Sequence, residues 1–280
     1  MRLAAVMAVA ALWGSAADLE QARKFYDHTE YQKSIDLLKP IPQKDAAAYA
    51  LLGQAYFMSG DYKQAAGALE RAVAAEPRNA DYVLWLARTY GRRAEMANPL
   101  SALGQASKAR QYFENAVELN PRHIDALNDL LDFYLQAPGI AGGGMEKAER
   151  VVGMIGRVDA AEGQWAQAKL DEKRKEWNSA EQHLRRSVEL GPQPGRFVAL
   201  ARLLAKRGRY EESDRELARA QQMAPSSPRL LYDRAEVYID SNRNLGEAKS
   251  LLERYLACDI TPDDPPKADA RKLLRKIEAS

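Results

Sequence analysis

The stretch Ala46–Asn79 reads AAAYALLGQAYFMSGDYKQAAGALERAVAAEPRN, and it decides the fold. Tyr49, Leu52, Gly53 and Tyr56 stand three or four apart, which places them on one face of a helix. Gly60-Asp61 then marks a turn. Ala65, Leu69 and Ala72 repeat the helical spacing, and Pro77 stops the second helix. These 34 residues therefore predict two helices folded against each other.

The second half of this unit recurs. Leu69 to Pro77, Phe113 to Pro121, Leu184 to Pro192 and Leu217 to Pro225 each run from a large apolar residue to a proline eight positions on. Each carries a small residue three positions after its start: Ala72, Ala116, Ser187 and Ala220. Another lies four positions before it: Ala65, Ala109, Ala180 and Ser213. The small residue of the first helix returns as Ala22, Ala87, Ala168, Ala201 and Ala235. The aromatic that follows it returns as Phe25, Tyr90, Tyr134 and Tyr238. Small side chains at a crossing let two helices approach closely, and the aromatics fill the gaps beside it. Leu131 and Asp171 depart from the pattern, standing where a small residue and an aromatic are expected.

With its Leu-Gly pair between two aromatics, its Ala-x3-Leu and its closing proline, the unit resembles the tetratricopeptide repeat. The resemblance implies an all-α, right-handed superhelical solenoid of about seven helix-turn-helix repeats. Seven copies are placed at 18–44, 46–79, 80–122, 124–160, 161–193, 194–227 and 228–261. The remaining 262–280 is expected to form a capping helix, opened by Pro265-Pro266, with Ala268, Leu273, Leu274 and Ile277 as its apolar face.

Composition excludes several functions. Lys plus Arg number 41 and Asp plus Glu 39, a balance without the cationic excess that duplex nucleic acid demands. The one cysteine, Cys258, cannot form an internal disulfide or a multi-cysteine zinc site, and burial is expected for it. No catalytic motif is present, so a non-enzyme without metal or small-molecule cofactor is expected. The opening MRLAAVMAVAALWGSAA has Arg2, an apolar run over 3–13 and small residues, the pattern of a signal peptide over 1–17. Eleven apolar residues would span about 16 Å as a helix, half a bilayer core, so no stable membrane anchor is expected. A periplasmic or secreted protein is the corresponding expectation.

Two turns depart from the rule in length. Tyr56 to Ala65 is nine residues, whereas Tyr90 to Ala109 is nineteen and Tyr134 to Ala148 fourteen. The extra segments, at 92–105 and 138–144, occupy the same place in consecutive repeats and should lie side by side on one edge. The first reads as a lengthened helix, a break at Asn98-Pro99 and a new helical start. The second carries Gly142-Gly143-Gly144. A glycine run before a helix can cradle phosphate, but no strand precedes it and no Lys-Ser follows it, so a turn packed on its neighbour is expected.

The resemblance also implies a concave surface lined by first helices, which binds peptides in many relatives. By alignment that stripe carries Arg23, Tyr26, Gln54, Phe57, Leu84, Arg88, Asn128, Asp132, Trp165, Lys169, Arg202, Tyr232 and Glu236. Aromatics with interspersed arginines suit a protein interface. Phe57, Leu84 and Trp165 could equally be packing residues. The Lys/Asn carboxylate clamp of chaperone-binding relatives is replaced by Leu19, Leu51, Asp81 and Trp85. The expected function is a scaffold that binds protein or peptide segments through this groove and the paired insertions. The alternative is a structural subunit of a bacterial envelope assembly, held by its convex face or cap.

Overall fold

The structure, a computed structural model, describes residues 16–278. The expected signal peptide lies outside them except for Ala16 and Ala17. Every regular element described is helical. The chain divides into two compact units, Met1–Lys147 and Ala148–Ser280.

The first unit contains α1 (16–27), α2 (Tyr31–Leu38), α3 (Ala46–Met58), α4 (Tyr62–Ala75), α5 (Ala80–Met96), α6 (Pro99–Leu119) and α7 (Ile124–Gln136). A single 3₁₀ turn, Gly139–Ala141, follows, and α8 (Met145–Val158) spans the division. The second unit continues with α9 (Ala160–Arg174), α10 (Trp177–Leu190), α11 (Pro194–Lys206), α12 (Tyr210–Met223), α13 (Pro228–Asp240), α14 (Leu245–Ala257) and α15 (Lys267–Glu278). Consecutive helices pack in pairs: α3 on α4, α5 on α6, α9 on α10, α11 on α12 and α13 on α14.

Local chemistry sets the helix ends. Asp45, Asp61, Asn79, Asn98 and Asp159 each accept a hydrogen bond from the backbone N–H three residues on, the N-cap contact that relieves an orphan donor. At the other end, α4, α6, α10 and α12 stop two residues before Pro77, Pro121, Pro192 and Pro225. The residue before each proline has φ of −131°, −140°, −157° and −138°, the extended backbone that proline imposes on its predecessor.

The turn between paired helices follows a rule of its own. Thr29, Gly60, Lys175 and Gly208 adopt φ of 59°, 82°, 63° and 75°, each two residues before the next helix begins. One left-handed residue reverses the chain there. The connections after α5 and α7 do not use this turn, and both lie at the longer segments.

The core explains the small residues. Ala22, Ala65, Ala72, Ala87, Ala109, Ala116, Ala168, Ala180, Ala201, Ala220 and Ala235 are fully buried. A Cβ on Gly53 would sit 2.5 Å from Leu69 Cγ, so α3 and α4 cross at a distance only glycine permits there. Leu131, despite its size, is fully buried as well. Asp171 is buried and accepts hydrogen bonds from Gln167 at 2.8 Å and Ser179 at 2.6 Å, so its charge is compensated inside the second unit. Cys258 is only half-buried, because it lies just past the end of α14 rather than on its packed face, with its thiol donating to the Arg254 carbonyl at 3.4 Å. No described helix is long and apolar enough to cross a membrane.

Candidate functional site

The first unit holds a cleft of about 760 Å³, within the size range of ligand pockets. Its walls come from residues at helical spacing. Arg88, Gly91, Arg92 and Glu95 form one face of α5. Pro99, Ala102, Leu103, Ala106 and Phe113 line it from α6. Asp129, Asp132, Phe133 and Gln136 contribute from α7, Phe57 from the end of α3, and Pro138, Ile140 and Ala141 from the short turn after α7. Both longer segments therefore meet on one concavity.

The first of them folds as its sequence predicts. α5 runs on to Met96, Asn98 caps α6 by accepting from Ser101 N–H at 3.1 Å, and Pro99 takes the first helical position. The glycine segment is a closed turn. The N–H groups of Ala141, Gly142, Gly143 and Gly144 donate to the carbonyls of Pro138, Gly139, Pro138 and Tyr134. With these donors engaged inside the turn, they form no phosphate cradle. Gly142 has φ of 93°, and its Cβ would lie 2.6 Å from Arg110 Cδ on α6. A Cβ on Gly143 would overlap the Ala137 carbonyl at 1.9 Å. Glycine is needed here so that the turn can sit against α6.

Two arginines are fixed on the α5 wall. Arg88 Nε donates to Asp129 Oδ2 at 2.5 Å, and its guanidinium lies 5.2 Å from the Trp85 ring. Arg92 bonds Glu95 at 2.5 Å and lies 5.6 Å from the Tyr62 ring. Phe57 ties these rings together, edge-on to Tyr62 at 5.2 Å and to Trp85 at 5.4 Å. Burial pushes the Asp129 carboxyl above its ordinary pKa; Arg88 opposes the shift, while the nearby Asp132 and Asp125 charges add to it.

Two exposed apolar side chains, Leu103 and Ile140, line the cleft. Of the seven large hydrophobic side chains exposed among the described residues, Met96, Leu100, Leu103 and Ile140 all belong to the two longer segments. Ile140 is 82% exposed and Leu100 97%. Met96 lines a separate concavity beside Asp61 and Tyr62.

The stripe predicted from sequence is distributed as follows. Phe57, Arg88 and Asp132 line the cleft. Gln54 is half-buried one turn before Phe57, Asn128 is half-buried beside Asp129, and Arg23 is exposed on α1. Tyr26 is not on an open surface: it is buried, edge-on to Tyr31 at 5.4 Å. Leu84 is buried too. In the second unit, Trp165 is half-buried against the core around Leu200, Leu203 and Leu204, with the Lys169 ammonium 4.6 Å from its ring. Arg202 is exposed and bonds Glu236 at 2.6 Å. Tyr232 is buried against Tyr255, their rings 5.4 Å apart. Each tyrosine packs inward against an aromatic of the paired helix, Tyr31 on α2 and Tyr255 on α14, a contact that sequence spacing does not reveal. Phe113 and Phe133, 6.0 Å apart, line the cleft without having been predicted there; the run Asp129, Asp132, Phe133, Gln136 on one face of α7 was the available signal.

Tetratricopeptide-repeat family profiles match residues 46–79, 94–123 and 198–265. The chain is a tetratricopeptide-repeat protein. Among solved structures, a tetratricopeptide repeat protein from Parabacteroides merdae superposes with a TM-score of 0.61 at 16% identity, over 94% of this chain and 98% of the other. A thermophilic tetratricopeptide-repeat protein of Thermus thermophilus gives 0.52 at 23% identity, over 69% of this chain and 99% of its own. Human IFIT1, solved as a dimer with PPP-AAAA, gives 0.54 at 16% identity, over 87% of this chain and 54% of its own. At these identities the likeness concerns the fold. No curated protein matches the sequence. Within this tetratricopeptide-repeat protein, the described residues contain no group of three or more metal-ligating side chains.

Proposed function

We propose that this chain is a non-catalytic scaffold that holds a segment of a partner protein in the cleft of its first unit. One observation carries the proposal: each longer segment places an exposed apolar side chain, Leu103 from the first and Ile140 from the second, on a single concavity with fixed arginines. Such an apolar patch with an aromatic and arginine floor has the make-up of an interface hot spot. The division into seven repeats at the boundaries given above, with a cap at 262–280, belongs to this proposal. The helix pairs and the proline stops support it. Export to the periplasm or outside the cell is likewise proposed, on the sequence pattern over 1–17.

Site-specific photocross-linking tests the docking site. A cross-linker replacing Ile140 should capture a partner in an extract of the source cells, whereas one replacing Leu190, exposed in the second unit, should not. Leu103→Glu should abolish capture at 140. Equal capture at both positions, or capture indifferent to Leu103→Glu, would refute the cleft as the docking site.

A further inference from the structure

We propose that α15 rests its outward face on an anionic lipid surface, so that the second unit attaches peripherally and reversibly to a bilayer. The cleft of the first unit plays no part in this.

The helix divides by chemistry along its length. Ala270, Leu273, Leu274 and Ile277, at i, i+3, i+4 and i+7, turn inward. Ala270 is fully buried, and the other three pack on the core built from α11 to α14. The opposite side carries Ala268, Arg271, Lys272, Arg275 and Lys276, all exposed. At about 3.6 residues per turn these four cations fall within an arc of about 140° that holds no carboxylate. The two acids of α15 flank the arc and are occupied. Asp269 accepts from Lys272 at 2.8 Å, and Glu278 from Lys249 of α14 at 3.4 Å. Arg271 and Arg275, one turn apart, have no hydrogen bond or ion pair among the described residues.

A capping helix needs only a polar outer face, and mixed charge would serve. The neighbouring α14 shows that alternative, with Glu247 and Glu253 balancing Lys249 and Arg254. α15 has five cations against two acids, in a chain whose totals are 41 and 39. One sign is thus gathered on one helix face.

The other features of that face select the occupant. α15 has no aromatic side chain on which single-stranded bases could stack. None of the large hydrophobic side chains exposed among the described residues lies on it, so it offers a protein partner no anchor. Duplex recognition asks for a continuous cationic track, whereas Asp259, Asp263 and Asp264 stand just before this helix. A ridge of charge alone matches a plane of lipid phosphates, where each lysine or arginine close to the surface adds attraction. Because its apolar side is already packed on protein, the helix lies on the head groups and not among the acyl chains. Such attachment is reversible and screened by salt.

The test uses the full chain and vesicles of two compositions, phosphatidylcholine alone and phosphatidylcholine with phosphatidylglycerol in equal parts. Co-sedimentation at low salt gives the ratio of anionic to neutral binding, to which the apolar run over 3–13 contributes equally on both sides. Wild type should favour the anionic vesicles strongly, and added salt should remove the preference. Arg271→Gln with Arg275→Gln should lower the ratio about thirtyfold, equivalent to ~2 kcal/mol at ~1 kcal/mol per cation. Lys63→Gln with Arg78→Gln removes the same charge from exposed positions of the first unit and should leave the ratio nearly unchanged. Arg271→Lys with Arg275→Lys should behave as wild type, since a lipid surface reads charge rather than guanidinium geometry. Circular dichroism melts check that each variant is folded.

A wild-type protein with no preference for anionic vesicles would overturn the proposal. So would an equal fall for both glutamine pairs, which would reduce the effect to net charge. Loss of the preference in the lysine pair would point to a shaped site and refute a planar one. A gel shift of a single-stranded oligonucleotide, lost in the Arg271→Gln pair where vesicles are ignored, would give the face to nucleic acid instead. Ile140→Glu should leave vesicle binding intact, so failure here and failure of the cleft are read separately.

Discussion

Replacing Gly53 with alanine adds one methyl group at the α3–α4 crossing. That methyl would lie 2.5 Å from Leu69 Cγ, 3.1 Å from Leu69 Cδ2 and 3.3 Å from the Ala65 carbonyl oxygen. Leu69 is fully buried, and Cγ is its branch point rather than a free end. It can yield only by changing rotamer against neighbours or by moving α4. Overpacking of this kind costs about 1–3 kcal/mol. The same substitution favours the helix by about 0.8–1.0 kcal/mol, because alanine loses less backbone entropy than glycine. Because the clash falls on a buried branch point, it should prevail, leaving a net loss of up to about 2 kcal/mol. Gly67, in the middle of α4, supplies the control: a Cβ there meets nothing within 4 Å. Gly67→Ala should therefore gain about 0.5–1 kcal/mol. Urea unfolding monitored by circular dichroism should move the midpoint down for Gly53→Ala and up for Gly67→Ala, with similar slopes. Adding Leu69→Ala to Gly53→Ala should cost less than the two changes separately, because the methyl then fills part of the cavity. A Gly53→Ala midpoint at or above wild type would refute the close crossing and the helical register derived from it.

Gly163→Ala should destabilise more than Gly53→Ala, by about 3 kcal/mol at the upper end of overpacking, since its methyl would lie 2.4 Å from the Gly156 Cα and backbone cannot rotate away; Gly153→Ala, in open space on α8, should stabilise in the same urea assay. Ser213 is fully buried and its hydroxyl has no hydrogen-bond partner among the described residues, so Ser213→Ala should raise the melting temperature by an amount worth about 1 kcal/mol. Ser187→Ala should lower it by a similar amount, because that hydroxyl donates to the Ala161 carbonyl at 2.7 Å. NMR titration should find Asp129 protonating above the ordinary aspartate value because of its burial, lower in Asp132→Asn and higher in Arg88→Ala. Because the folded-state value is raised, the folded state takes up this proton first. Acidification through that window should therefore add stability, and Asp132→Asn should shrink the gain.

Much of the pairing of helices was legible in sequence because it follows from residue size and backbone chemistry. Proline cannot continue a helix, so Pro77, Pro121, Pro192 and Pro225 mark ends that the structure reproduces two residues earlier. Small residues at fixed spacing, Ala65 and Ala72 among them, could serve only a close crossing, and all are buried. The break at Asn98-Pro99 was equally readable, since the asparagine caps and the proline starts a helix. The site was legible in part. The two longer segments stood out by length alone, and Phe57, Arg88 and Asp132 fell on the predicted stripe. Tyr26 and Tyr232 fell on it too, yet they are buried against Tyr31 and Tyr255.

The sequence by itself determined the repeating unit, where its helices stop and where two turns are lengthened, because each depends on contacts within a few residues. Only the tertiary structure decided which faces meet. It brought Leu103 and Ile140 to one rim, set Arg88 against Asp129 across forty-one positions of sequence, and left α7 presenting carboxylates to the same cleft. Such contacts depend on how helices distant in sequence rotate and stack, and local spacing carries no record of that.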